Sequence, residues 1–440
     1  MVDFTPPRSG EPLASILEGK PGVQWDESIL PSQVARPDRR PQVSELYNPY
    51  DPAVQADPYP IYQVLREESP VYWNKEQEFW ALSRFDDIWA ATQDHRRFSS
   101  AKGIVVGQDL AAGMGDLMPM MIMMDPPRHS ALRKLVSRAF TPKRIAEMEG
   151  SIRATARGLL GSFIERGEVD FVHEYAGPLP TIVIADMLGI PNEDRQQFRD
   201  WSDRLVQVNP NDPASVEDAT NAALGLYGYF TPMLAARRAN RKDDLMSALL
   251  DAEVDGETLT EEELLGFCFM LLIAGNETTT NLISNTAQIL SERPETLRTI
   301  AAEHSLLPAA VEEFLRLESP VQGLARTVTE DVELHGETMR AGSKVMLLYG
   351  SANRDEREYA DPESFILDRK TERGLAFGHG PHFCLGAALA RLECRVAYEE
   401  LLSYVPDFAL ADGAERLLSG PVRGYKKLPI TFEPTSISAR

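Results

Sequence analysis

The chain has 440 residues, 43% hydrophobic and 25% charged, with 67 Asp and Glu against 45 Lys and Arg and a formal net charge of −22. That imbalance argues against nucleic acid and anionic membrane surfaces as partners. Three cysteines, Cys268, Cys384 and Cys394, make neither a disulfide framework nor a paired zinc motif, and they fit a reducing cytoplasm.

Residues 1–41 are rich in proline (Pro6, Pro7, Pro12, Pro21, Pro31, Pro37 and Pro41) and carry no hydrophobic period, so a loosely ordered tail is expected before a domain at 42–440. The first residues lack the apolar core of a signal peptide, and the apolar run Leu264–Gly275 is too short to span a bilayer. A cytoplasmic protein without a membrane segment is therefore expected. Tyr62, Leu65 and Arg66 sit on a helix-like segment, and Val71–Trp73 and Phe79–Leu82 read as short strands. Met114, Met118, Met120, Met121, Met123 and Met124 crowd one stretch; methionine is flexible and suits adaptable binding walls. His129 and Arg133 then fall i,i+4 on one helix face.

A long helix is predicted from Thr260, where Thr260-x-x-Glu263 forms a capping box, to the region of Pro294. From Leu264 to Ile273 it is apolar all round, as a buried helix is. Glu277 and Thr278 on such a helix need a reason, because an unpaired buried polar group costs about 1–3 kcal/mol. The bland alternative is a threonine bonded back to the carbonyl four residues earlier and a glutamate at the surface. Glu313 and Arg316 share a helix face between Pro308 and Pro320; alone, such a pair is usually a surface ion pair of little worth. Short strands return at Val332–Leu334 and Val345–Tyr349.

The most specific segment is Phe377-Gly378-His379-Gly380-Pro381-His382-Phe383-Cys384-Leu385-Gly386, with a helix-like run after it. Glycines around one thiol let backbone wrap closely under a flat ligand. The segment resembles the haem-binding loop of the cytochrome P-450 family, Phe-Gly-x-Gly-x-(His/Arg)-x-Cys-x-Gly, and fills each of its fixed positions. Ala274-Gly275-Asn276-Glu277-Thr278 likewise resembles the family's oxygen-activation motif, and Glu313-Phe314-Leu315-Arg316 its Glu-x-x-Arg brace. The likeness runs from about residue 45 to the end.

The resemblance implies a mainly α fold with small β-sheets (α+β), a single-domain cytochrome P-450 fold holding haem b between the oxygen-activating helix and the Cys384 loop. It implies Cys384 as the axial iron ligand, with Phe377, Gly378 and Gly386 forming its loop. His129, Arg133, Arg326 and His382 are implied as partners of the haem propionates. Ala274 and Gly275 would make room beside the haem, Thr278 would donate a hydrogen bond to bound dioxygen, and Glu277 would relay protons. Glu313 and Arg316 are structural; their usual third member is in doubt because Ser364 stands in the basic position, leaving Arg354 and Arg369 as candidates. Residues 195–240 would form lid helices. Met118, Met121, Leu272, Ala274, Gln322, Leu324, Pro421 and Val422 are the implied pocket wall, around a neutral, mainly apolar substrate.

The expected activity is a monooxygenase that inserts one oxygen atom of O2 into that substrate, in a monomer. A peroxide-driven peroxygenase and a non-catalytic haem sensor are the alternatives; the Thr278–Glu277 pair argues against both. No dinucleotide fingerprint and no cysteine cluster for an iron–sulfur centre is present, so electrons must come from a separate donor. By resemblance that donor is a ferredoxin with its reductase, docking beneath Cys384 where Arg128, Arg133, Lys134, Arg138, Lys143, Arg144 and Arg391 gather; with Arg133 committed to a propionate, Lys134, Arg138, Lys143 and Arg391 are the better candidates.

Overall fold

The computed structural model describes residues 47–106, 119–206, 212–254 and 256–437. All of them fall in one compact unit, Tyr47–Arg440. The proline-rich 1–41 segment, Met114 and Met118 lie outside the described residues.

Strands β1 (Val71–Asn74) and β2 (Phe79–Leu82) form an antiparallel hairpin, with Val71 opposite Leu82. They continue into a five-stranded sheet with β3 (Phe98–Ser99), β4 (Leu324–Val328) and β5 (Lys344–Leu347), in the order β1-β2-β5-β4-β3. The β5–β2 pair is parallel and the others are antiparallel. Side chains alternate across a strand, so Leu324 and Arg326 on β4 share one face.

The helices carry the bulk of the fold. Helix α1 (Tyr59–Glu68) buries Tyr62, Leu65 and Arg66, and α2 (Phe85–Gln93) follows the hairpin. Then come α3 (Arg128–Val136), α4 (Glu149–Gly161), α5 (Pro178–Leu188), α6 (Arg195–Val206) and α7 (Pro213–Ala239). The 31-residue α8 (Glu261–Ser291) runs through the middle and packs on α5, α6 and α7. After it come α9 (Pro294–Ala302), α10 (Leu307–Leu317) and α11 (Ala387–Tyr404).

Helix α8 starts where its sequence says. Thr260 Oγ1 accepts from Glu263 N at 3.2 Å, and Glu263 accepts from Thr260 N at 3.0 Å. Two otherwise orphaned N–H groups are thus satisfied, and three acidic residues in the first turn complement the helix dipole. Glu263 also takes Arg128 Nε at 2.7 Å, which ties the start of α3 to the start of α8. Arg128 further reaches Glu257, so it is committed inside the fold and is a poor docking residue.

The Glu-x-x-Arg pair is buried, not superficial: Glu313 is 1% exposed and Arg316 2%. Arg316 Nε lies 2.7 Å from Glu313 Oε2. The third member is Arg369, whose Nε donates to both Glu313 oxygens at 3.0 and 3.2 Å. Arg354 instead serves Glu318, Glu363 and the Leu317 carbonyl. Ser364, standing in the usual basic position, contributes its backbone carbonyl, which accepts from both Arg316 and Arg369.

Candidate functional site

The Cys384 loop is closed by its own backbone. Cys384 N donates to Phe377 O at 3.0 Å, and α11 opens directly after it, with Ala390 N donating to Gly386 O at 2.9 Å. Gly378 and Gly380 take φ of +66° and +70°, a region that side chains make costly. At Gly380 an added Cβ would lie 2.5 Å from the Thr92 carbonyl, so the loop must pass bare against the end of α2. At Gly378 it would meet nothing within 4 Å, because that backbone faces open space. His379 stacks on Trp89 of α2 with ring centroids 3.5 Å apart, and Arg391 lies over the Phe377 ring at 4.4 Å.

That open space is a cavity of about 480 Å³. Cys384, Phe377, Gly378 and Gly386 of the loop line it, and so do Ala274, Gly275, Glu277 and Thr278 of α8. His129, Arg133, Arg326 and His382 all reach it, from α3, β4 and the loop. Met121, Leu324, Pro421 and Val422 complete the expected wall, joined by Met120, Ile122, Met123, Leu205, Val216 and Phe269.

Two expected wall residues are elsewhere. Leu272 is fully buried in the core, and Leu271 and Ile273 line the cavity in its place. Adjacent residues on a helix point about 100° apart, so a one-residue shift changes the face. Gln322 is also off the wall: its amide donates to Ser319 O at 2.7 Å, and its carbonyl end packs against Gly350. Gly275 lines the cavity, yet its bare Cα accommodates Ile184 of α5, which an added Cβ would approach to 2.8 Å.

The electrostatics of the site are positive around the histidines. The His129 and His382 rings lie 4.2 Å apart. Burial pushes His129 down to about 4, with Arg133 adding to it, and pushes His382 down to about 3, with Arg326, His129 and Arg133 adding to it. His129 Nδ1 is buried without a partner. Among the described residues no carboxylate forms an ion pair with Arg133 or Arg326. Unneutralised cations and an orphaned ring nitrogen around a cavity fit an anionic group brought by a ligand. Burial raises the Cys384 thiol, while the Gly386 N–H, Arg133 and Arg391 pull it down. A sulfur on one wall, open backbone beside it and cations at the margin suit a flat iron macrocycle carrying carboxylates. Among the described residues no His, Cys, Asp and Glu cluster could hold a bare metal ion instead.

On the α8 wall, Thr278 is half-buried, and its hydroxyl donates to Ala274 O at 2.6 Å. It makes the back-bond of the bland reading and still faces the cavity. Glu277 is not at a surface: it is 5% exposed, and burial, then the charge of Asp203, pushes it up to about 8. Sequence reasoning missed Asp203, which sits on α6. It also missed Glu393 of α11, a buried acid on the cavity margin whose Oε2 has no partner and which burial raises well above the carboxylate range. Nothing in the local sequence marks either.

The comparisons agree with this geometry. The Cytochrome P450 family profile matches residues 230–405. Cytochrome P450 109 of Bacillus spizizenii is 42% identical over 386 residues, covering 86% of this chain and 92% of its own. This chain belongs to the cytochrome P450 family. Methyl-branched lipid omega-hydroxylase of Mycobacterium tuberculosis is 41% identical to this P450, over 84% of this chain and 90% of its own. The crystal structure of CYP109E1 from Bacillus megaterium in complex with testosterone superposes with a TM-score of 0.79 at 38% identity, covering 86% of this P450 and 98% of that chain. As a P450 the enzyme is a haem-thiolate monooxygenase that works with O2 and redox partners. Among the described residues no helix is long and apolar enough to cross a membrane.

Proposed function

We propose that this P450 inserts one oxygen atom of O2 into a lipid- or steroid-sized apolar molecule, drawing two electrons from a ferredoxin and two protons from water and releasing the second oxygen as water. The observation that carries the reading is that Cys384, Thr278, Glu277 and the apolar side chains of Met121, Leu205, Val216 and Phe269 line one cavity. The lipid hydroxylase and the testosterone complex among its relatives support the substrate class.

In this reading haem b is bound with Cys384 as the iron ligand, and bound thiolate haem supplies dioxygen activation by favouring O–O cleavage. His129, Arg133, Arg326 and His382 hold its carboxylates through charge-assisted hydrogen bonds. Glu277 carries protons toward the cavity, and Thr278 directs them by hydrogen bonding. Both groups on one wall favour the O2-driven reaction over a peroxide-driven one. Residues 42–440 act as one haem domain, in the cytoplasm.

The experiment that tests this reading is Thr278→Ala. A hydrogen bond to a group gaining charge is worth about 1.5–3 kcal/mol, so the productive branch should slow by about ten- to a hundredfold and product per electron should fall, with the missing electrons recovered as hydrogen peroxide. Testosterone-induced spectral shifts should be unchanged. Unaltered product per electron would remove Thr278 from this role.

The ferredoxin proposal is tested by salt. Exposed charge pairs are screened within about 10 Å at 0.1 M and about 3 Å at 1 M, so the half-saturating ferredoxin concentration should rise with ionic strength. Arg391 is not free for docking, because its guanidinium grips Glu312 at 2.5 and 2.9 Å. Arg138 and Lys143, both exposed, are the better pair to reverse. Arg138→Glu with Lys143→Glu should raise that concentration severalfold and flatten its salt dependence; an unchanged salt curve puts the donor elsewhere.

A further inference from the structure

Just before α3 the chain turns its methionines onto the cavity. Met120, Met121 and Met123 line it, and Met270 of α8 joins them. A short helical turn, Met121–Met123, fixes the backbone here. Met123 N donates to Met120 O at 2.9 Å, and Met124 N to Met121 O at 3.2 Å. The turn packs on both α8 and α3, the helices that bring Thr278 and His129 to the same cavity. Met121 is 6% exposed, and the other three are half-buried. Among the described residues, these thioethers and Cys384 are the only sulfur groups that line the cavity. The rest of its apolar lining is aliphatic or phenylalanine. Such groups take no oxygen atom from a peroxide, whereas a thioether does and becomes a sulfoxide.

We propose that Met120, Met121, Met123 and Met270 form a modification site: they are converted to methionine sulfoxide when O2 is reduced in the cavity with no organic substrate present, and the conversion closes the cavity to apolar molecules. The inference rests on the O2-driven reading of this enzyme, which supplies the oxidant. Two electrons and two protons delivered to O2 with no product made give hydrogen peroxide. One thioether then reacts with one peroxide molecule. A sulfur–oxygen bond forms and the oxygen–oxygen bond breaks. Sulfur gives up two electrons, and the second oxygen leaves as water with both protons. Confinement favours this acceptor. One peroxide molecule in a cavity of about 480 Å³ is at a concentration on the order of 1 M. The sulfoxide is polar where the thioether was apolar, and an apolar ligand offers its oxygen no hydrogen bond. A bound substrate keeps peroxide off the wall, so the substrate protects the surface that binds it.

The test runs the reconstituted holoenzyme with one electron-donor pair, isotopically heavy O2 and catalase in solution, without substrate, and maps sulfoxides by peptide mass spectrometry. Catalase destroys peroxide that escapes, and the heavy label excludes oxidation during handling. Met148, Met187 and Met233 are half-buried and do not line the cavity, so they serve as controls. Labelled sulfoxide should gather at the four wall methionines severalfold over the controls, and saturating testosterone should suppress it. The treated protein should bind testosterone about tenfold more weakly by spectral shift. Leucine at all four positions keeps the volume of the wall; that variant should hold after treatment the affinity it had before. The map itself needs no variant. Label spread evenly over wall and controls, or absent from the wall while O2 is consumed, would overturn the inference and leave the O2-driven reading standing. A labelled wall with unweakened testosterone binding, or an equal loss in the leucine variant, would overturn the closure. No O2 uptake at all under reducing conditions would bring down the O2-driven reading, and this inference with it.

Discussion

Cys384→Ser is expected to abolish the red-shifted absorption band of the reduced, carbon-monoxide-treated protein, whereas Cys268→Ser and Cys394→Ser should keep it in full. The three thiols differ in surroundings. Cys268 is 1% exposed within α8 and Cys394 0% within α11, and burial pushes both up to about 12. Neither lines the cavity. Cys384 does, and it alone has a backbone N–H and two arginines drawing its proton off. A metal-bound thiol is deprotonated outright, so the residual burial effect is overcome once iron is bound. Serine keeps the shape but gives a much poorer anion and cannot supply the sulfur electron density on which the band depends. The measurement is a difference spectrum after dithionite and carbon monoxide. A band of wild-type position in Cys384→Ser would end the assignment of this residue as ligand.

The local signals in the sequence carried well into the structure, and the failures share a cause. Thr260 and Glu263 meet because a capping box needs only three residues of helix to form. Gly378 and Gly380 are legible because a left-handed backbone favours glycine, which pays no Cβ penalty there. The choice between Arg354 and Arg369 depended on how the segment after Tyr359 folds back onto α10, which no local pattern encodes. Leu272 and Gln322 were placed by family location; one residue of helix rotation puts Leu272 in the core, and the bond from the Gln322 amide to Ser319 O turns that side chain away. The acidic neighbour of Glu277 was invisible because 74 positions separate Asp203 from Glu277 and only the crossing of two helices joins them. What sequence leaves open here is mostly the rotation of a helix about its axis and the crossing of one element on another.

The brace around Glu313 should have the largest effect on stability, and it is also where the floor of the site is anchored. One carboxylate serves two buried guanidinium groups: Arg316 donates Nε and Nη2 at 2.7 and 2.8 Å, and Arg369 donates Nε at 3.0 and 3.2 Å. Ile366 N adds a further bond to the same carboxylate at 2.9 Å. The arginines then grip the carbonyls of Asn353, Pro362 and Ser364, fixing the chain that runs on to the Cys384 loop. Asn353 holds that chain again, its Oδ1 accepting from Leu375 N at 2.9 Å, two residues before Phe377. Glu313→Ala leaves two cations buried with no anion between them. Removing one partner of a buried pair costs about 3–5 kcal/mol, a large part of the roughly 5–15 kcal/mol that holds a typical domain folded. A lower urea midpoint and faster haem loss to a scavenger protein should accompany it. Additivity tells the brace from its neighbours. Arg369→Ala should be strongly destabilising alone and add little to Glu313→Ala, because both remove the same contact. Arg354→Ala should add nearly its full effect, since its partners are Glu318 and Glu363. Full additivity of Arg369→Ala with Glu313→Ala would show that Arg369 is not part of the brace.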